Sequence, residues 1–134
     1  MFGCVEPETG IVIAKRSDRG NARTFKRFLI KVLHFYRYKK VIMVLDNVRY
    51  HHAKLLKPFL EKYKDRFELM FLPPYSPDFN PMERIWWYMR KKITHNRFVK
   101  RLSERVAWFW QMFSHFQKEN ETCKTLCRLR VINY

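Results

Sequence analysis

Val41-Ile42-Met43-Val44-Leu45-Asp46-Asn47 is a run of five apolar residues that stops at an acid and an amide. Unbroken apolarity of this length reads as a strand buried on both faces, as in a parallel sheet covered by helices. Downstream, Leu55, Leu56, Phe59, Leu60 and Tyr63 recur at helical spacing, and Pro58 is expected to kink or restart that helix. Phe67-Glu68-Leu69-Met70-Phe71-Leu72 then reads as a second strand. A right-handed crossover between the two makes them parallel and brings both carboxyl ends to one edge of the sheet. Open α/β sheets hold their ligands at that edge, so Asp46 occupies a privileged position. A turn or N-cap aspartate explains its local sequence equally well.

The second strand leads into Leu72-Pro73-Pro74-Tyr75-Ser76-Pro77-Asp78-Phe79-Asn80-Pro81-Met82-Glu83-Arg84-Ile85-Trp86-Trp87. The four prolines between 73 and 81 fix φ and push each preceding residue toward extended geometry, which gives the loop one shape. Asn80 is a favoured N-cap and Pro81 a favoured first helical residue, so Glu83 falls at the third helical position. There it either completes a capping box with Asn80 or serves as an active-site acid. Asp46 and this loop leave the same sheet edge, which allows the two carboxylates to converge. In the helix from Pro81, Met82, Ile85, Trp86, Met89 and Ile93 form one stripe, with Glu83, Trp87 and Arg90 beside it, so the acid is expected to border the core.

Upstream, residues 2–5 and 11–14 read as a hairpin around Pro7-Glu8-Thr9-Gly10. Asn21 can cap a helix with Phe25, Phe28, Leu29, Val32, Leu33 and Tyr36 on its apolar face. Downstream, Phe98, Leu102, Val106, Phe109, Phe113 and Phe116 mark a long helix whose aromatics are expected in the core. Residues 1–117 are expected to form the domain and 118–134 a C-terminal tail. Cys123 and Cys127 can share a helical face, but without a partner pair they make a poor zinc site.

Twenty-eight Lys and Arg against 12 Asp and Glu give a net charge of +16 and imply a polyanionic partner. The basic residues alternate with core aromatics instead of lining one amphipathic surface helix, which favours nucleic acid over a membrane. No run approaches the roughly 18 apolar residues of a membrane span. Three cysteines form no even framework, so a reducing, cytoplasmic setting is expected, associated with the nucleoid in a bacterium.

Val44-Leu45-Asp46-Asn47-Val48-Arg49-Tyr50-His51 and the loop from Leu72 to Trp86 resemble the two downstream signatures of mariner-like insertion-sequence transposases, D-D-E endonucleases with a ribonuclease H-like fold. The resemblance implies an α/β three-layer fold with an added C-terminal helix. It makes Asp46 the second and Glu83 the third catalytic acid, together binding Mg²⁺ or Mn²⁺ and acting on DNA. Asn47, His51 and Asn80 are expected to support the site. Arg84, Arg90, Lys91, Lys92 and Arg97 are expected to contact DNA.

The family's first acid lies on a central strand upstream of the hairpin, and none of Glu6, Glu8 and Asp18 follows a buried strand. The chain is therefore expected to be a truncated catalytic domain that lacks that strand, binds metal weakly, is inactive alone and pairs with a second copy or an upstream transposase half. A non-catalytic basic nucleic-acid-binding protein derived from a transposase is the alternative. No membrane or small-molecule partner is expected.

Overall fold

A computed structural model describes residues 1–46, 48–73, 80–94 and 101–128. In chain order the elements are β1 (Phe2–Val5), β2 (Val12–Lys15), α1 (Ala22–Phe35), β3 (Val41–Leu45), α2 (Lys57–Lys62), β4 (Phe67–Phe71), α3 (Pro81–Thr94), α4 (Leu102–Phe116) and α5 (Glu121–Cys127), with 3₁₀ turns at Arg49–His52 and Lys54–Leu56. β1 pairs with β2, and β3 with β4, as two separate two-stranded sheets. The residues divide into two compact units, Met1–Phe2 with Ala14–Asn80, and Gly3–Ile13 with Pro81–Tyr134. Among the described residues no helix is long and apolar enough to cross a membrane.

In the first unit α1 begins with a reciprocal capping box. The Asn21 side chain accepts from the Thr24 amide at 3.0 Å, and Thr24 Oγ1 accepts from the Asn21 amide at 3.1 Å. Its apolar face buries Phe25, Phe28, Leu29, Val32 and Leu33, each contributing about 1.5–3 kcal/mol. The Phe2 ring sits 5.8 Å from those of both Phe25 and Phe28. At the far end of α1, Arg66 donates to the Leu33 and Arg37 carbonyls at 2.8 and 2.9 Å, which ties the start of β4 to a helix terminus that attracts cations.

β3 and β4 run parallel in the register Val41↔Phe67 to Leu45↔Phe71. The expectation that β3 is buried on both faces is corrected. Met43 and Leu45 are buried, whereas Ile42 and Val44 are 52% and 50% exposed, as is Met70 of β4 at 51%. Successive residues of a strand face opposite ways, and an apolar run alone does not reveal how many of its faces are covered. Pro58 restarts the helix, sitting in the first turn of α2 after the 3₁₀ turn, where its missing amide costs nothing.

In the second unit the α3 stripe Met82, Ile85, Met89 and Ile93 is buried as its spacing predicts. Trp86 meets Phe113 of α4 edge-on at 5.5 Å. α4 contributes Phe113 and Phe116 to the buried set, but Leu102 is 77% exposed, so the core stripe expected from 98 to 116 narrows to its last turn. Phe98 lies outside the described residues. The stretch expected to be a tail contains α5, capped by Asn120, whose Oδ1 accepts from the Cys123 amide at 2.8 Å. Asn120 also donates to the Gly10 carbonyl at 2.9 Å. Gly10 has φ of +74°, and any Cβ there would collide with the Asn120 carbonyl, so the tight turn needs glycine.

Candidate active site at the carboxyl ends of two parallel strands

β3 ends just before Asp46 because the chain turns there. The Asp46 carbonyl accepts the Val48 amide at 2.9 Å and His51 Nδ1 at 2.8 Å. A backbone carbonyl only accepts, so Nδ1 carries the proton. The imidazole is buried, 4.4 Å from the Phe25 ring and 6.5 Å from that of Phe71. His51 thereby fixes the last peptide of β3 from its side chain, and two aromatic rings fix His51.

β4 leaves the sheet beside β3, its register closed by the Leu72 amide donating to the Leu45 carbonyl at 2.8 Å. Residues 74–79 of the loop after it lie outside the described residues, and the chain is described again from Asn80, whose side-chain amide donates to Asp46 Oδ2 at 3.2 Å. That bond holds one carboxylate oxygen of a half-buried aspartate. Among the described residues Asp46 Oδ1 has no hydrogen-bond partner, so a hard cation suits this carboxylate, with one oxygen anchored and the other able to coordinate. Three of the expected site residues, Asp46, His51 and Asn80, therefore come together in the first unit. Asn47 lies outside the described residues.

Glu83 belongs to the second unit, as the third residue of α3, where the amino-terminal helix dipole favours a carboxylate. It is exposed, not bordering the core as its spacing suggested, while its neighbours Met82 and Ile85 are buried. Of the residues expected to contact DNA, Arg90, Lys91 and Lys92 are exposed on α3. Lys91 Nζ lies 4.9 Å from the Trp87 ring centre and Lys92 Nζ 5.5 Å from that of Tyr88. Arg84 turns to α5, donating to the Leu126 carbonyl at 2.8 Å and the Arg128 carbonyl at 2.9 Å. Arg97 lies outside the described residues.

Sequence reasoning did not find the aromatic bracket around His51 or the capping of α5 by Arg84. Both are contacts across long separations, and no local spacing announces them.

Burial opposes ionisation of the two cysteines of α5. Burial pushes the Cys123 thiol up to about 12, with Cys127 adding to the rise and a hydrogen bond with Asn120 opposing it. Burial likewise raises Cys127, against the pull of Arg84.

The family described as DDE superfamily endonuclease matches residues 1–105 of this chain, and the chain belongs to that family. An uncharacterized protein of Sinorhizobium fredii (strain NBRC 101917 / NGR234), y4pE/y4sA, is 39% identical over 66 residues, 49% of this chain and 45% of its own length. The insertion element IS630 uncharacterized 39 kDa protein of Shigella sonnei is 27% identical over 123 residues, 91% of this chain and 34% of that protein. The chain thus spans less than half the length of these relatives. The catalytic domain of Mos1 mariner transposase shares its fold, with a TM-score of 0.65 at 22% identity over 89% of this chain and 63% of that one. The chain is accordingly an α/β domain of the DDE endonuclease family, with the fold of that catalytic domain.

Proposed function

We propose that this chain is the downstream part of a DNA-cutting and strand-transferring centre, in which Asp46 and Glu83 are the second and third metal-binding acids. The observation that carries this reading is the anchored Asp46 carboxylate at the carboxyl ends of two parallel strands, in a chain whose residues 1–105 match the DDE endonucleases. When bound, Mg²⁺ or Mn²⁺ supplies charge neutralisation at the scissile phosphate and an activated water or hydroxyl. The chain's own residues orient the acids. Asn80 holds Asp46 Oδ2, His51 holds the Asp46 carbonyl, and the first turn of α3 presents Glu83.

Arg90, Lys91 and Lys92 contact DNA phosphates in this reading, with Asn47 and Arg97 adding to the site and the DNA surface. Arg84 serves the packing of α5 first. Two acids hold a divalent ion weakly, so the 134-residue chain alone is inactive and acquires activity with an upstream transposase segment that carries the first acid. It acts on DNA in the cytoplasm, at the nucleoid in a bacterium, as a homodimer or joined to that upstream half.

The test is divalent-ion-dependent nicking of supercoiled plasmid by the chain alone and by the chain supplied with the segment encoded upstream. Nicking should require that segment and vanish in Asp46→Asn and Glu83→Gln. Equal nicking with and without the segment would refute the need for the first acid. The net charge of +16 supports a second reading, a non-catalytic DNA binder. That reading prevails if salt-sensitive binding survives Asp46→Ala and Glu83→Ala and neither form nicks DNA.

A further inference from the structure

We propose that Trp87 on α3 is a stacking platform for an unpaired DNA base, with Lys91 as the cation that engages the same nucleotide's phosphate. The inference rests on the reading of α3 as a DNA-facing helix and adds to it a kind of contact that charge alone does not provide.

α3 carries two adjacent indoles with opposite fates. Trp86 is packed, edge-on to Phe113 at 5.5 Å and so close to Gly3 that a Cβ on that glycine would lie 2.7 Å from Trp86 Cζ2. Trp87 is 56% exposed, and among the described residues its ring contact is the Lys91 ammonium at 4.9 Å. Tryptophan has the largest apolar surface of any side chain, so one that the core does not use is a candidate recognition group.

Its neighbours indicate the ligand. Glu83, Trp87 and Lys91 succeed one another at four-residue intervals, so the stripe reads acid, indole, cation with a rise of about 6 Å per step. Arg90 and Lys92 are exposed beside it. An aromatic platform among cations, in a chain of net charge +16, suits a ligand with both a π face and negative charge.

A paired base is covered above and below by its neighbours and offers no face. The ligand is therefore an unpaired or flipped nucleotide next to the phosphodiester that Glu83 serves. In the free protein the Lys91 ammonium covers the indole as a cation–π pair. An incoming base takes that place, and the ammonium turns to the phosphate. Every base has a π face, so the site holds single-stranded DNA without reading its sequence.

The experiment is fluorescence anisotropy of the full chain with labelled oligothymidine and with a blunt duplex. Trp87→Ala should weaken oligothymidine binding by roughly 5- to 150-fold, and Trp87→Phe by much less, with duplex binding changed by less than about twofold. Trp87→Leu, which keeps apolar bulk on the helix without a π face, should behave like the alanine variant. Lys91→Ala should reduce the salt slope for oligothymidine by about 0.7, and Trp87→Ala should leave it unchanged. Unaltered oligothymidine binding by Trp87→Ala and Trp87→Leu, or equal losses on both DNAs, would overturn the proposal while leaving the transposase reading intact. Failure of the wild-type chain to bind either DNA would overturn both.

Discussion

His51 Nδ1 donates to the carbonyl of Asp46 at 2.8 Å, so a side chain five residues downstream fixes the peptide of the residue proposed as the second metal-binding acid. His51→Ala removes one of the two hydrogen bonds to that carbonyl and opens a void beside Phe25. The combined cost is about 2–4 kcal/mol. His51→Phe fills the space without a donor and should cost about half as much. Urea denaturation of the two variants gives both numbers. Equal losses would mean that the hydrogen bond outweighs the packing, and no loss in either would show that His51 does not hold the strand end.

The bond from Asn80 to Asp46 Oδ2, 3.2 Å long, gives a second handle on the same carboxylate. Asn80→Ala should cost about 1 kcal/mol and, in the nicking assay proposed above, impair metal-dependent cleavage more than it impairs folding. Asn80→Asp replaces a donor with a second anion, so the variant should be less stable than wild type in chelator. Excess Mg²⁺ should then raise its thermal midpoint by more than it raises that of wild type, since binding to the folded state stabilises by mass action. Identical Mg²⁺ responses in the two proteins would argue against a cation at Asp46.

Much of this arrangement was legible in the sequence, and the boundary of legibility has a physical cause. The parallel pairing of 41–45 with 67–71 followed from two apolar runs and one crossover rule. Asn21, the start of α3 at Pro81 and the restart at Pro58 followed from backbone chemistry that is local by nature. The exposure of Ile42 and Val44 was not legible, because apolarity records what a face prefers and not whether anything covers it. The exposure of Glu83 and the turn of Arg84 toward α5 were hidden for a related reason, since each depends on a neighbour more than 30 positions away or on none. The proposed joint role of Asp46 and Glu83 rested on the crossover geometry read from the sequence and on the family signature.

The uncovered face of the β3–β4 pair makes a prediction of its own. The Val41 amide donates to Arg66 and the Leu45 carbonyl accepts from Leu72, so the odd-numbered residues of β3 direct their backbone groups to β4. Strand geometry then points the amides and carbonyls of Ile42 and Val44 to the opposite edge. An apolar strand without charge or proline at an edge invites association. Ile42→Lys and Val44→Lys, at side chains half in water, should change stability by less than about 1 kcal/mol and reduce concentration-dependent scattering of the chain. A loss of several kcal/mol would mean that this face is packed after all.

Alkaline pH provides a probe of the buried thiols that is independent of DNA. Burial pushes Cys123 up to about 12, and pushes Cys4 of β1 up to about 12 against a hydrogen bond with the Ile13 backbone. A thiol harder to ionise in the folded chain ionises first in the unfolded one, near its ordinary value of 9.0. Above that pH the unfolded state binds fewer protons than the folded state, so stability falls as pH rises. The contribution is fully present below about pH 9 and is lost progressively toward pH 12. The urea midpoint of the chain should therefore decline across that window more steeply than that of Cys4→Ala/Cys123→Ala. Lysine deprotonation acts on both proteins alike, so the difference between the two profiles isolates the thiols. Parallel profiles would show that the thiols ionise as readily in the folded chain as in the unfolded one.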